Sequence, residues 1–303
     1  MNTIAKRAFL QRDRVVKAIT ADGHFRLAAI KNTKAVQTAQ TNHHLSALAT
    51  LLLGRAMSAA SLLASFLKNE ERVIVELLGN GVAEKVFAEA VQVGEVRGFV
   101  GNPQCTLDFS NPATKLSDGI GVGLVRVSRI LYGNYEPVVG LVELVAGDVS
   151  TDIAYYLSQS EQIPSAVLLD VAFDNDGGVL QSGGLIVQAL PDAPERDIVN
   201  MVESLKQLDN VPELFTNSFS PEEVLRLVTP IALKELDNVQ VDFFCRCTLE
   251  RFKATLSTLG IEEIRDMRAS NQRELVCRYC NKHYTLSDKD FEEILVGLQA
   301  REN

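Results

Sequence analysis

Four of the five cysteines in this chain stand in two tight pairs near its end, Cys245-Arg246-Cys247 and Cys277-Arg278-Tyr279-Cys280, separated by residues 248–276, 29 in all. Two cysteine pairs at this distance suit one tetrahedral zinc site with four thiolate ligands, Cys245, Cys247, Cys277 and Cys280. The spacing therefore dictates a fold for the last part of the chain: the intervening segment must carry both pairs to one point. From Val239 onward about 65 residues remain, a length at which a hydrophobic core alone rarely suffices and a bound metal supplies the missing stability.

The intervening segment has the means. Leu249, Phe252, Leu256 and Leu259 fall on one helical face, and Gly260 is placed to end that helix. Arg273–Val276 leads as a strand into the second pair, and His283–Leu286 reads as the returning strand. Ser287 can cap a last helix, Asp288–Leu298, with Asp290 bonding back to it. His283, three residues past Cys280, is expected at the surface or behind the ligands rather than among them.

The one-residue gap in Cys245-Arg246-Cys247 sets the site apart from ordinary zinc ribbons. A disulfide across so short a gap is tight and easily reduced again. Metal-bound sulfurs are already thiolates, the form that oxidants attack, and Arg246 and Arg278 favour the thiolate further. Structural zinc contributes on the order of 10–16 kcal/mol in small modules, so losing it should unfold this one.

These cysteines acquire meaning from the compartment. Charged residues at Arg12, Asp13 and Arg14 and the want of an early apolar run argue against a secretory leader. Leu45–Leu67 has the length of a membrane span. It is diluted by Ser, Thr and Gly and carries Arg55 at its middle, so a helix buried in a protein core is expected. A cytoplasmic chain keeps its thiols reduced, which favours metal or redox chemistry over structural disulfides. The net charge of −9 disfavours broad binding to nucleic acid.

Ahead of the cysteines, residues 1–190 read as one α+β domain. Arg14–Ile19 and His24–Ile30 form a hairpin around Ala21-Asp22-Gly23. Ala35–Leu67 reads as one or two helices, the second apolar on most faces and hence central. Strands are expected over Val73–Leu78, Val82–Val91, Val122–Leu131 and Val138–Val145, with turns at Gly79-Asn80-Gly81, Gly119–Gly123 and Gly133-Asn134. Val149–Gln162 is expected as a helix capped by Ser150 or Asp148. Val167–Phe173 and Leu185–Leu190 close the domain as a strand pair. Strands in blocks, without strict βαβ alternation, favour a mixed or antiparallel sheet.

Pro191 and Pro194 open a different region, 191–238, with no strand signal. It offers short amphipathic helices, Glu195–Leu208 and Pro221–Val228, the latter with Ser220 as N-cap, interrupted at Pro212 and Pro230. Helices this short need packing against a neighbour, so the region is expected to be a metastable linker. Residues 239–303 then form the zinc module. Cys105 stands alone, and adjacent His43 and His44 point apart on a helix; neither is assigned a role. The glycine clusters match no nucleotide-binding pattern.

With these motifs the sequence resembles the redox-regulated 33-kDa heat shock protein family. The resemblance rests on the four cysteines together with Ser160-Glu161-Gln162-Ile163-Pro164, the run Gly183–Pro191, and Val241-Asp242-Phe243 ahead of the first pair. It implies a chaperone, not an enzyme, that holds unfolding client proteins without ATP. Reduced and zinc-bound, such a protein is inactive. Oxidation forms disulfides Cys245–Cys247 and Cys277–Cys280, releases zinc, unfolds the module and linker, and yields an active homodimer. The run Arg226-Leu227-Val228-Thr229-Pro230 departs from the more polar, tyrosine-containing segment expected there.

Two other readings are open to the residues. A zinc-ribbon nucleic-acid binder would need a basic stripe, but Cys245 to Asp290 holds nine Lys/Arg against seven Asp/Glu. A thiol–disulfide oxidoreductase would place Cys277-x-x-Cys280 at a helix start, whereas here it sits between two strands.

Overall fold

The computed structural model describes residues 12–133, 136–206 and 219–302. The chain divides into two compact units, one ending at Phe244 and one beginning at Cys245.

The first unit is built on two sheets. One has five strands in the order β10-β1-β2-β9-β8: β1 (Arg14–Thr20), β2 (Phe25–Lys31), β8 (Ser165–Phe173), β9 (Val179–Ala189) and β10 (Leu233–Gln240). All its pairings are antiparallel. The other has six, in the order β11-β5-β4-β3-β6-β7: β3 (Arg72–Gly79), β4 (Lys85–Val91), β5 (Glu95–Val100), β6 (Gly123–Ile130), β7 (Val138–Glu143) and β11 (Asp242–Phe243). Only the β11–β5 pairing is parallel. The expected α+β class with mixed and antiparallel sheets and central helices is what the chain adopts.

Three helices complete the core: α1 (Thr33–His43), α2 (Ala47–Ala64) and α3 (Val149–Gln159). One apolar cluster joins Val15, Ala28 and Ile30 of the first sheet to Val73, Val75, Val86 and Ala88 of the second, through Leu52, Leu53, Ala56, Met57 and Ala60 of α2. A helix between two sheets has no solvent face, which explains why its composition mimics a membrane span; 83% of it is buried within the protein. Gly54 is needed there, because a Cβ would lie 2.6 Å from a methyl of Val171. Arg55 survives in this setting by bonding Asp148 and Asp170, the latter at 2.8 Å. Asp148, rather than Ser150, caps α3 through the amide of Thr151.

The first sheet is apolar on both faces, following the two-residue period of a strand. Ala28 and Ile30 face α2, while Phe25, Leu27 and Ala29 face the other way, together with Val16, Ala18, Leu185 and Val187. Two amphipathic helices cover this second face, α4 (Glu195–Lys206) through Met201 and Leu205, and α5 (Pro221–Val228) through Val224, Leu225 and Val228. Ser220 and Glu223 form the reciprocal cap expected for α5. Within the run Arg226–Pro230, Val228 is the residue that anchors α5 on the sheet, while Leu227 is exposed. Gln207, Leu208 and Pro212, in the expected linker, lie outside the described residues, as does Asn134 of the expected turn.

Expectations for three strands are corrected. The stretch Leu233–Gln240, expected as the end of the helical linker up to 238 and the start of the zinc module from Val239, is strand β10, paired with β1 from Leu233↔Thr20 to Gln240↔Arg14. Its Lys, Glu, Asp and Asn residues carry no strand propensity; the open edge of β1 recruits it. Strand β5 was not expected, because Glu95, Arg97 and Gly98 interrupt its apolar pattern. Arg97 instead pairs across the sheet with Glu89 at 2.7 Å. Strand β9 begins at Val179, not Leu185. Gly183 and Gly184 lie within it, where a Cβ on Gly184 would fall 2.4 Å from the carbonyl of Leu168.

The second unit contains α6 (Leu249–Leu256), α7 (Ile261–Ala269), a hairpin of β12 (Glu274–Val276) and β13 (His283–Thr285), and α8 (Asp288–Glu302). Its small core comprises Ile264, Leu286, Phe291, Ile294 and Leu298. Gly260 does not close α6, as expected, but stands at the N-cap of α7, a helix with too few apolar residues to announce itself.

Candidate metal centre

Each half of the site is shaped locally. Thr248 caps α6 through the amide of Arg251, and the Arg251 guanidinium donates to the Arg246 carbonyl at 2.7 Å. These bonds hold the Cys245–Cys247 loop at the start of α6. The second half is a knuckle in the hairpin. The amides of Cys280 and Asn281 donate to the Cys277 carbonyl, and the Cys277 amide donates to the carbonyl of Lys282. Asn281 takes a left-handed conformation (φ 56°) that closes the turn, a role Asn tolerates well.

The four sulfurs of Cys245, Cys247, Cys277 and Cys280 lie within 4.8 Å of one another, an arrangement able to hold one metal ion. Across the two pairs, Cys245 lies 3.7 Å from Cys277 and Cys247 lies 3.4 Å from Cys280, sulfur to sulfur. Zinc–sulfur bonds of about 2.3 Å in a tetrahedron place sulfurs about 3.8 Å apart, so the donor set fits such an ion in size and chemistry. Cys277 and Cys280 are buried, Cys245 and Cys247 half-buried.

Electrostatics points the same way. Burial pushes the Cys277 and Cys280 thiols above the usual thiol range. Burial also raises Cys247, but hydrogen bonds with Tyr284 and the neighbouring thiols outweigh it and leave Cys247 below that range. A cation bound by these sulfurs would need them as thiolates, which is how metal binding and proton release are linked.

His283 stays outside the cluster. It is largely exposed, with Nδ1 2.6 Å from Glu274 Oε1. Cys105 is buried in the first unit and its carbonyl accepts from Ser46 Oγ at 2.6 Å. The residue that sequence reasoning missed is Tyr284. Its hydroxyl donates to the Cys247 carbonyl at 2.9 Å and lies 3.3 Å from the Cys247 sulfur. The one sequence signal was a phenol four residues past Cys280 on the returning strand.

Known proteins resemble the chain over nearly its whole length. The family model described as "Hsp33 protein" matches residues 13–287. A "33 kDa chaperonin" from Desulforamulus reducens is 37% identical over 295 residues, 96% of this chain and 100% of the relative. Another, from Thermotoga maritima, is 35% identical over 276 residues, 90% of this chain and 94% of the relative. The crystal structure of a 33 kDa chaperonin from Thermotoga maritima superposes with a TM-score of 0.88 at 33% identity, covering 96% of this chain and 100% of that one.

Proposed function

Since this chain belongs to the Hsp33 family, we propose that it is a cytoplasmic, ATP-independent holdase chaperone switched on by oxidation of its four C-terminal cysteines. The observation that carries the proposal is the convergence of the four sulfurs into one group. Zinc bound there would supply a fixed positive charge that keeps Cys245, Cys247, Cys277 and Cys280 as thiolates and ties the two halves of the small unit together. A peroxide is the oxidant. A thiolate attacks it, forming an S–O bond, breaking the O–O bond and releasing hydroxide. The second thiolate of the pair then forms the S–S bond and expels the oxygen as a second hydroxide. Two peroxides thus yield Cys245–Cys247 and Cys277–Cys280, and no thiolate remains to hold the ion.

The unit then loses its metal crosslink, and its five buried core residues are too few to keep it folded. The expected linker, residues 191–238, with its helices α4 and α5, is the part on which this loss acts. Helices α4 and α5 rest on the apolar face of the first sheet. A groove of about 240 Å³ lies between α4 and the sheet, lined by Phe25, Val187, Ile198, Met201 and Leu205 among others. Short helices held by one apolar face detach readily. Their departure would uncover the face that includes Phe25, Leu27, Leu185 and Val187, a continuous apolar surface suited to unfolding clients. Homodimerisation of the oxidised form belongs to the same proposal.

The test is aggregation of a heat-unfolded client, followed by light scattering. Protein oxidised by warm peroxide should suppress it, reduced zinc-loaded protein should not, and dithiothreitol should reverse the effect. Equal suppression in both states would sink the redox gate and leave a constitutive holdase.

A further inference from the structure

We propose that Tyr284 is the positioning residue of the cysteine cluster, whose hydroxyl holds Cys247 in place and screens its sulfur from oxidants. This rests on the four-thiolate reading above and adds a residue to it. Tyr284 stands on β13, the returning strand of the Cys277–Cys280 hairpin, yet its hydroxyl reaches the other half of the site. It donates to the Cys247 carbonyl at 2.9 Å and lies 3.3 Å from the Cys247 sulfur. The strap spans both halves through the protein alone. The ring is itself held. Phe252 of α6 packs against it with centroids 5.3 Å apart and planes tilted by 50°, and Lys282 Nζ sits 5.1 Å from its centroid.

The O–H donates to the Cys247 carbonyl at 2.9 Å, which fixes the loop, and the phenol oxygen stands 3.3 Å from the Cys247 sulfur, so it occupies one of the approaches a peroxide would need. Groups just behind metal ligands commonly tune them in this way. Tyr284 therefore makes Cys247 slower to oxidise than its partial exposure suggests, and it preserves the loop geometry into which a metal can return after reduction.

The experiment uses full-length, zinc-loaded wild type and Tyr284→Phe, which keeps the ring and its packing on Phe252 but removes the hydroxyl. Peroxide-driven zinc release is read with a chromogenic chelator, and alkylation of each cysteine by iodoacetamide is mapped by mass spectrometry. In the variant, zinc release and the initial alkylation rate of Cys247 should both accelerate on the order of tenfold, with the initial rates at Cys245, Cys277 and Cys280 unchanged. In the cobalt-loaded variant the sulfur-to-metal charge-transfer band should shift. Wild-type rates in the variant, or equal acceleration at all four sulfurs, would overturn the proposal; the latter is what simple loosening of the fold produces. Should the variant fail to fold, wild type alone decides: Cys247 alkylated more slowly than Cys245 supports the screen, and equal rates remove it. Wild type that takes up no zinc would instead defeat the redox-switch reading, and the same comparison in metal-free protein would still judge Tyr284.

Discussion

Arg14 and Glu222 tie α5 to β1 beside the apolar contact that covers the first sheet. The Arg14 side chain is 3% exposed and bonds Glu222 twice, at 2.6 and 3.0 Å, fixing α5 to β1. Burial alone would raise the Glu222 carboxyl, but the Arg14 guanidinium outweighs it and holds the group below the ordinary value. The stability from this pair is therefore present at neutral pH and is lost as pH falls below the ordinary glutamate value and through the lowered one. Removing one partner strands a buried charge, so Glu222→Gln should cost about 3 kcal/mol. The expected result is client protection without oxidant, measured by light scattering on the reduced protein. Asp13 behaves in the opposite sense. Its carboxylate accepts from the Ala35 amide, Lys31 lies nearby, and burial raises its pKa to about 6. The folded state thus holds this proton more tightly than the unfolded chain, and stability falls as pH rises from about 4 to about 6. Asp13→Asn should remove that slope, about 3 kcal/mol across the window, as followed by urea unfolding at several pH values. The Arg14–Glu222 pair is not visible in the sequence, because 207 positions separate its members.

At the scale of elements, α4 and α5 are short amphipathic pieces stabilised almost wholly by what they cover. Leu225 is 2% exposed against the sheet, and Leu225→Ser would lose its burial and place a hydroxyl in an apolar contact, costing about 3 kcal/mol. Cleavage of the reduced protein between residues 191 and 232 by a protease should quicken while β1 to β9 stay protected. Unchanged cleavage would mean that α5 is held by something other than its apolar face. Strand β10 shows the other side of the same physics. Its polar sequence would not form a strand alone, and it is held by its ladder to β1. Both helices were legible from their period, and α5 from its cap as well. The strand was not, since an edge position is created by its neighbour.

For the whole molecule, the two compact units differ in what holds them. The first is built on an extensive core, with apolar side chains from both sheets and three helices. The second has the five buried residues around Phe291 and four cysteines. Chelation of metal from the reduced protein, or Cys277→Ser with Cys280→Ser, should therefore melt the second unit and leave the sheets of the first protected. Hydrogen exchange resolves the two. Loss of protection throughout β1 to β9 on chelation would show that the first unit also depends on the metal.

The sequence by itself determined the elements that depend on local order. Strand alternation, the all-round apolar character of α2, the caps of α5 and α8, and the four cysteines at metal-binding spacing all follow from neighbours a few residues apart. Only the tertiary structure decided what depends on distant partners. It recruited β10 to the edge of β1, used α2 as the layer between two sheets, buried Arg14 against Glu222, and brought the Tyr284 hydroxyl to Cys247. The physical reason is that local conformational preference is written in adjacent residues, whereas an edge, an ion pair or a hydrogen bond across a site exists only once the chain has closed upon itself.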